Sequence, residues 1–219
     1  MKSGHCERQR TKKRSRKTTM KREPDQIVVE SPTSIQPSDR ARIKGQRAFV
    51  VWLTGISGAG KSTLANMLEQ HLHAQGMHTA LLDGDSLRLG LNKDLGFSDA
   101  DRCENIRRAA EAAKLMVNAG LVVIVATISP IRSARESARA LFGENEFYEV
   151  FVDAPIEVAE ARDVKGLYAL ARQGTIRQFT GIGSVYEPPS NVDVHVQTAL
   201  MSKQACIDVI LQKLPIDAG

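Results

Sequence analysis

Residues 55–62 read GISGAGKS and follow directly on the apolar run AFVVWLT at 48–54. The eight residues match G-x-x-x-x-G-K-[ST] in full, after a buried strand pattern and before a helical one, where the motif has mechanical meaning. Gly55, Gly58 and Gly60 let the backbone bend until successive N–H groups point at phosphate oxygens. A helix beginning near Lys61 adds the positive end of its dipole. Lys61 would reach the β- and γ-phosphates, and the Ser62 hydroxyl would ligate Mg2+. The stretch therefore predicts a bound nucleoside triphosphate, cradled by Gly55, Ile56, Ser57, Gly58, Ala59, Gly60, Lys61, Ser62 and Thr63. It does not name the acceptor, because GTPases, ATPase motors and small-molecule kinases all use such a loop.

From about residue 47 the chain alternates between strand and helix patterns. Strand-like runs stand at 48–54, 78–83, 121–128 and 148–153, with a weaker one at 193–197. Helical patterns fall between and after them, at about 61–74, 99–118, 131–141 and 201–213. The second of these has a full set of end signals: Ser98 as N-cap, Asp99 and Asp101 in the first turn, Gly120 past the end. Strand, helix, strand, repeated, predicts an α/β protein of the P-loop NTPase kind: three layers, with a five-stranded parallel sheet and helices on both faces.

Charge divides the chain in two. Residues 1–22 hold ten Lys or Arg and one acid, a charge of +9, so the remainder carries 5 − 9 = −4. That basic stretch has almost nothing to bury and reads as a disordered tail, either a polyanion-binding arm or a solvated extension. Pro24, Pro32 and Pro37 among Ser, Thr and Asp make 23–40 a linker. The expected division is 1–42 for tail and linker and 43–219 for one catalytic domain. No apolar run approaches the roughly 18–20 residues that span a bilayer, and no apolar stretch follows the basic start as in a signal peptide. Cys6, Cys103 and Cys206 are far apart and odd in number, which fits reduced thiols in a cytoplasmic protein.

The second strand run ends LLDGDSLRLGL at 81–91. Asp83 and Asp85 thus leave the carboxyl edge of a parallel sheet, where such folds place their ligands. Gly84 between them reads as a tight turn. Carboxylates there can hold a hard cation or orient an acceptor hydroxyl. Arginines gather next: Arg88, Arg102, Arg107 and Arg108, with Asn105 among them. Guanidinium groups offer paired donors to phosphate or sulfate. On a helix, Arg102 and Asn105 share a face, while Arg107 and Arg108 point elsewhere.

At this point the residues resemble the adenylylsulfate kinases of sulfate assimilation. The resemblance is carried by DGDSLRLGLNKDLGFSDADRCENIRR (83–108), ISP (128–130), EVFVDAP (149–155), EARDVKGLY (160–168) and FTGIGSVYEPP (179–189), in the family's order over about 43–200. It implies a kinase that moves the γ-phosphoryl group of ATP, with Mg2+, onto the 3′-hydroxyl of adenosine 5′-phosphosulfate. By position, the resemblance makes Asp85 the residue that orients the acceptor hydroxyl and helps Ser62 hold magnesium. It makes Arg88, Arg102 and Asn105 sulfonucleotide contacts, with Ile128 and Ser129 beside them. Phe97 and Phe179 would sandwich the substrate adenine. Arg162 falls on the ATP side and Lys165 in a mobile lid. Family members carry a phosphoserine at the serine of ISP. Direct in-line transfer with Ser129 as a binding residue is preferred here, leaving Asp85, Lys61 and Ser129 as the catalytic set. The resemblance also suggests a homodimer and a functional association with a sulfate adenylyltransferase.

Some positions depart from the family pattern: Thr127 stands before ISP in place of Phe, Val164 in place of Pro, Ala169 and Leu170 in place of a basic pair, and Gly183 in place of Asp. All but Thr127 fall in or near the lid. Two other readings compete: a P-loop kinase for another hydroxylated metabolite, and a nucleotide-binding protein that uses the basic tail on nucleic acid. The spaced phenylalanines favour a purine-bearing acceptor over a sugar acid, and a body at −4 offers no basic groove for nucleic acid. Neither nucleic acid nor a membrane is expected as a partner.

Overall fold

The computed structural model describes residues 33–176 and 178–216. The basic segment 1–22 and most of the stretch read as linker lie outside them. Five strands form one sheet: β1 Phe49–Thr54, β2 Thr79–Asp83, β3 Val122–Ala126, β4 Phe147–Asp153 and β5 Val194–Gln197, in the order β2-β3-β1-β4-β5. Every pairing is parallel. Position in the sheet explains the sequence patterns. Central β1 and β3 are buried along their whole length and read as unbroken apolar runs. Edge strand β5 alternates buried and exposed residues, which is why VHVQ is the weakest strand signal.

The helices, in chain order, are α1 Pro37–Ile43, α2 Lys61–Ala74, α3 Gly84–Leu89, α4 Asp99–Asn118, α5 Arg132–Arg139, α6 Ile156–Arg162, α7 Leu167–Arg172 and α8 Lys203–Leu211. Successive β1 side chains point to opposite faces and seed two cores. Phe49, Val51 and Leu53 pack with Leu64, Leu68 and Leu72 of α2 and with Cys206, Ile207 and Ile210 of α8. Val50 and Trp52 pack with Ile106, Ala109, Ala110, Ala113 and Val117 of α4 and with Ala138 of α5. The alanine stripe lets the 20-residue α4 lie close against the sheet. A smaller cluster of Ala159, Tyr168, Ala171 and Phe179 sits under α6 and α7.

Helix α4 starts with the expected cap: Ser98 Oγ accepts from Asp101 N at 3.1 Å, and the Asp101 carboxylate accepts from Ser98 N at 3.3 Å. Past its other end, Gly120 has φ +88°, and a Cβ there would lie 2.8 Å from Ala41 N. Helix α1 occupies that space, with Arg40 donating to Asn118 O at 3.1 Å. The linker reading of 23–40 is therefore corrected from 37 onward, where Pro37 starts the docked helix α1. Among the described residues no helix is long and apolar enough to cross a membrane.

Candidate active site

All the strand ends that matter lie along the carboxyl edge of the sheet. From β1 the chain enters the phosphate loop, where Gly58 has φ +74° and Gly60, at the N-cap of α2, has φ +104°. A Cβ at Gly58 would come within 2.6 Å of Ala159 O, and one at Gly55 would run into Val152 O. Both glycines are therefore required by backbone from α6 and β4 as well as by dihedral angle. The loop is braced from behind. Thr198, just after β5, donates to Ala59 O at 2.8 Å. Arg162 at the end of α6 donates to Thr198 Oγ1 at 3.0 Å and Thr198 O at 2.8 Å. The Tyr168 hydroxyl of α7 donates to Ser57 O at 2.8 Å. Thr198 and Tyr168 were not read as functional from sequence, since each acts on a backbone more than 100 residues away.

Lys61 begins α2 and is buried, donating to Ile56 O at 2.7 Å. Burial pushes its ammonium down to about 7; Asp83 and Asp85 pull it back up, and Lys165 pushes it further down. Ser62 Oγ donates to Asp83 Oδ2 at 2.7 Å. Asp83 Oδ1 accepts from Asp85 N at 3.0 Å, which makes Asp83 the N-cap of α3. The tight-turn reading of Asp83-Gly84-Asp85 is thus corrected: Gly84 opens a helix and its φ is not positive. The carboxylate of Asp85 stays exposed and meets the Lys165 ammonium between α6 and α7. Ser62, Asp83 and Asp85 form an all-oxygen set of a hydroxyl and two carboxylates. Such a set suits Mg2+ shared with phosphates better than a closed protein cage, and no group of three or more His, Cys, Asp or Glu poised for a metal occurs among the described residues.

On the acceptor side the structure places the expected residues together but uses several of them differently. Arg88 of α3 donates to Gly96 O at 3.0 Å and lies 4.3 Å from the centre of the Phe97 ring. Phe97, 56% exposed, has a face covered by that guanidinium. Arg102 is buried on α4 and donates to Phe97 O at 2.9 Å, to Thr180 Oγ1 and to Gln178 O. Expected as a direct sulfonucleotide contact, it joins the backbone of Phe97 to both neighbours of Phe179. Phe179 itself is mostly buried, edge-on to Tyr168 at 4.8 Å. Asn105 lies one turn beyond Arg102 on the same buried face. Arg107 and Arg108 point away and pair with Glu104 and Asp94.

Ser129 departs furthest from expectation. Its hydroxyl, placed at the substrate in the sequence reading, is turned into the protein. It accepts from Trp52 Nε1 at 3.1 Å and donates to Thr54 Oγ1 at 2.9 Å. Thr54 in turn donates to Ile128 O at 2.9 Å, and Tyr186 OH stands 3.0 Å away. The relay holds Ser129 at φ 39°, in the left-handed region unusual for serine. Arg135 of α5 completes it, donating to Ser129 O at 2.6 Å, Glu187 O at 2.8 Å and Glu149 Oε1 at 2.8 Å. Among the altered lid positions, Val164 is 90% exposed, Ala169 N donates to Asp163, and Gly183 N donates to Phe179 O.

Residues 47–197 match the family model of adenylylsulphate kinase. The chain belongs to the adenylylsulphate kinase family. It is 66% identical to an adenylyl-sulfate kinase of Burkholderia ambifaria over 175 residues, 80% of this chain and 97% of the relative. Among solved structures it resembles the APS kinase of Mycobacterium tuberculosis in complex with AMPPNP and APS, with a TM-score of 0.73, 44% identity, and coverage of 76% of this chain and 97% of that one. A hexameric APS kinase from Thiobacillus denitrificans matches with a TM-score of 0.58 and 30% identity over 80% of this chain and 31% of its own. As an adenylylsulphate kinase, the chain is a phosphotransferase. The phosphate-loop motif follows β1, and the carboxylates and arginines singled out in the sequence stand at the end of β2 and on α3 and α4.

Proposed function

We propose that this protein transfers the γ-phosphoryl group of ATP to the 3′-hydroxyl of adenosine 5′-phosphosulfate, releasing ADP and 3′-phosphoadenosine 5′-phosphosulfate. One observation carries this reading beyond family membership. Lys61 and Ser62 of the phosphate loop, Asp83 and Asp85 at the end of β2, and Lys165 converge on one edge of the sheet. In the transfer, the acceptor 3′-oxygen forms a bond to the γ-phosphorus while the bond from that phosphorus to the β,γ-bridging oxygen breaks. Asp85 orients the acceptor hydroxyl and takes up its proton. Lys61 and Lys165 neutralise charge on the phosphoryl oxygens, and the loop amides hold the rest of the triphosphate. Ser62 and Asp85, with Asp83 beside them, would hold Mg2+, which would supply charge neutralisation to the triphosphate when bound.

Phe97 and Phe179 receive the acceptor's purine, with Arg88, Asn105 and Ile128 around the sulfonucleotide and Arg162 on the ATP side. Ser129 acts through position, keeping the 128–130 turn in shape, and stays unmodified during direct transfer. The buried relay around its hydroxyl supports this. The protein is proposed to act in the cytoplasm as a homodimer, functionally linked to a sulfate adenylyltransferase, the class of enzyme whose product is its acceptor.

The deciding experiment mixes purified protein with ATP, magnesium and adenosine 5′-phosphosulfate and follows the 3′-phosphorylated product. Stoichiometric appearance of that product with ADP is expected. ATP binding without turnover would instead favour a nucleotide-binding regulatory role.

Lys61 adds a pH signature. Its folded value, near 7, lies below its ordinary 10.5, so across that window the unfolded chain holds the extra proton. Stability of the nucleotide-free protein should therefore rise with pH from about 7 to 10. Polyphosphate favours the ammonium, so ATP binding at pH 8 should take up a proton, to a maximum of about one per site. Calorimetry in buffers of different ionisation enthalpy measures this. Lys61→Met should abolish the uptake, and a buffer-independent enthalpy in the wild type would contradict the assignment.

A further inference from the structure

Asn92 lies between α3 and α4, fully buried, its backbone N–H donating to Leu87 O at 2.8 Å. Its side-chain Nδ2 donates to Asn105 Oδ1 at 2.9 Å. Its own Oδ1 is buried with no partner among the described residues. Both carboxamides could in principle be reversed together. That would spend one N–H of Asn105 on the Asn92 oxygen and leave both N–H groups of Asn92 buried without acceptors, where now one of them is paired and the oxygen lacks a donor. Orphaned buried N–H groups are the rarer and less tolerated case. The observed pairing therefore fixes the polarity of Asn105. Its oxygen is consumed by Asn92, and its NH2, which makes no hydrogen bond among the described residues, is the group left for another molecule.

We propose that Asn92 is a positioning and specificity-determining residue. It locks the Asn105 carboxamide so that the acceptor site presents a donor to an acceptor atom of the sulfonucleotide and refuses a donor at that point. Asn92 does not touch the substrate; it acts through Asn105, and the inference rests on the reading of the α3–α4 side as the sulfonucleotide site. Sites built around a directed hydrogen bond discriminate strongly, because the wrong partner leaves buried polar groups unpaired. The arrangement also explains why a residue with no access to solvent is an asparagine and not an aliphatic side chain of the same size.

A double-mutant cycle of Asn92→Leu, Asn105→Leu and the pair tests the coupling. Asn92→Leu should raise KM for adenosine 5′-phosphosulfate about 5- to 30-fold, the worth of one directed hydrogen bond, while KM for ATP stays unchanged. The double variant should be no worse for the sulfonucleotide than Asn105→Leu alone. Additive penalties, or a KM unchanged by Asn92→Leu, would overturn the proposal. If Asn92→Leu fails to fold, side-chain amide NMR of the wild type decides. The Asn105 NH2 resonances should shift on saturation with the sulfonucleotide, and resonances that stay in place would equally overturn it. A wild type that binds ATP but does not turn over adenosine 5′-phosphosulfate would sink the underlying functional reading. Turnover with an additive cycle would sink only the role of Asn92.

Discussion

Replacing Asp85 by Asn is expected to lower kcat by about 10²- to 10⁴-fold, the range associated with loss of a positioned acid–base group. ATP binding should be nearly unchanged, because the phosphate loop, Lys61 and the Arg162–Thr198 brace are left intact. Stability should change little. The Asp85 carboxylate is mostly exposed and its partner Lys165 is equally open, so the pair contributes about 0–1 kcal/mol. The backbone N–H of residue 85, which caps α3 through Asp83, survives the substitution. Turnover, nucleotide affinity and melting temperature therefore separate cleanly. Single-turnover rates with saturating ATP and equilibrium titration of ATP test this directly. A variant retaining kcat within about threefold would remove Asp85 from the chemistry.

What could be read from the sequence follows the range of the interactions involved. The phosphate loop was legible because its conformation depends on local glycines and on an adjoining strand and helix. Helices α2 and α4 were legible because 14 and 20 residues give several turns of periodicity. Helices α1, α3, α6 and α7 run only six or seven residues, too short for that signal. At Asp83-Gly84 a turn signature lost to a capping carboxylate. The site residues divide in the same way. Asp85 and Lys61 act close to their own strand ends. Arg102, Ser129 and Asn92 owe their roles to partners 76–78, 75–77 and 13 residues away, and no spacing rule encodes such contacts. The family resemblance supplied which residues to expect at the site. It did not supply that Arg102 is spent on the Phe97 and Phe179 backbones, or that the Ser129 hydroxyl faces inward.

Arg135 went unnoticed for the same reason, and removing it should have the largest effect on stability. Arg135 and Glu149 are an ion pair with side chains only 1% and 8% exposed. Arg135→Met leaves the Glu149 carboxylate buried, with Arg139 at 3.6 Å as its remaining cation. Breaking such a pair costs about 3–5 kcal/mol, and Arg139 places this case toward the lower end. For a chain of this size each kcal/mol moves Tm by about 2–4 °C, so a drop of roughly 6–15 °C is expected. The double replacement Arg135→Met with Glu149→Met removes the stranded charge, and a packed apolar pair can match a buried ion pair in stability. It cannot restore the bonds to Ser129 O, which keeps only Thr54 Oγ1 at 3.4 Å, and to Glu187 O, an orphaned carbonyl costing about 1–3 kcal/mol where it stays dry. The double variant should therefore melt between the single variant and the wild type. It should also lose activity, because the 128–130 turn loses its bond to α5 and the 186–188 segment keeps only Arg132 there. Full recovery of Tm without recovery of kcat/KM would assign Arg135 to the shape of the site. Full recovery of both would reduce it to a partner for Glu149, and a single variant melting within about 2 °C of the wild type would show that the buried pair holds nothing.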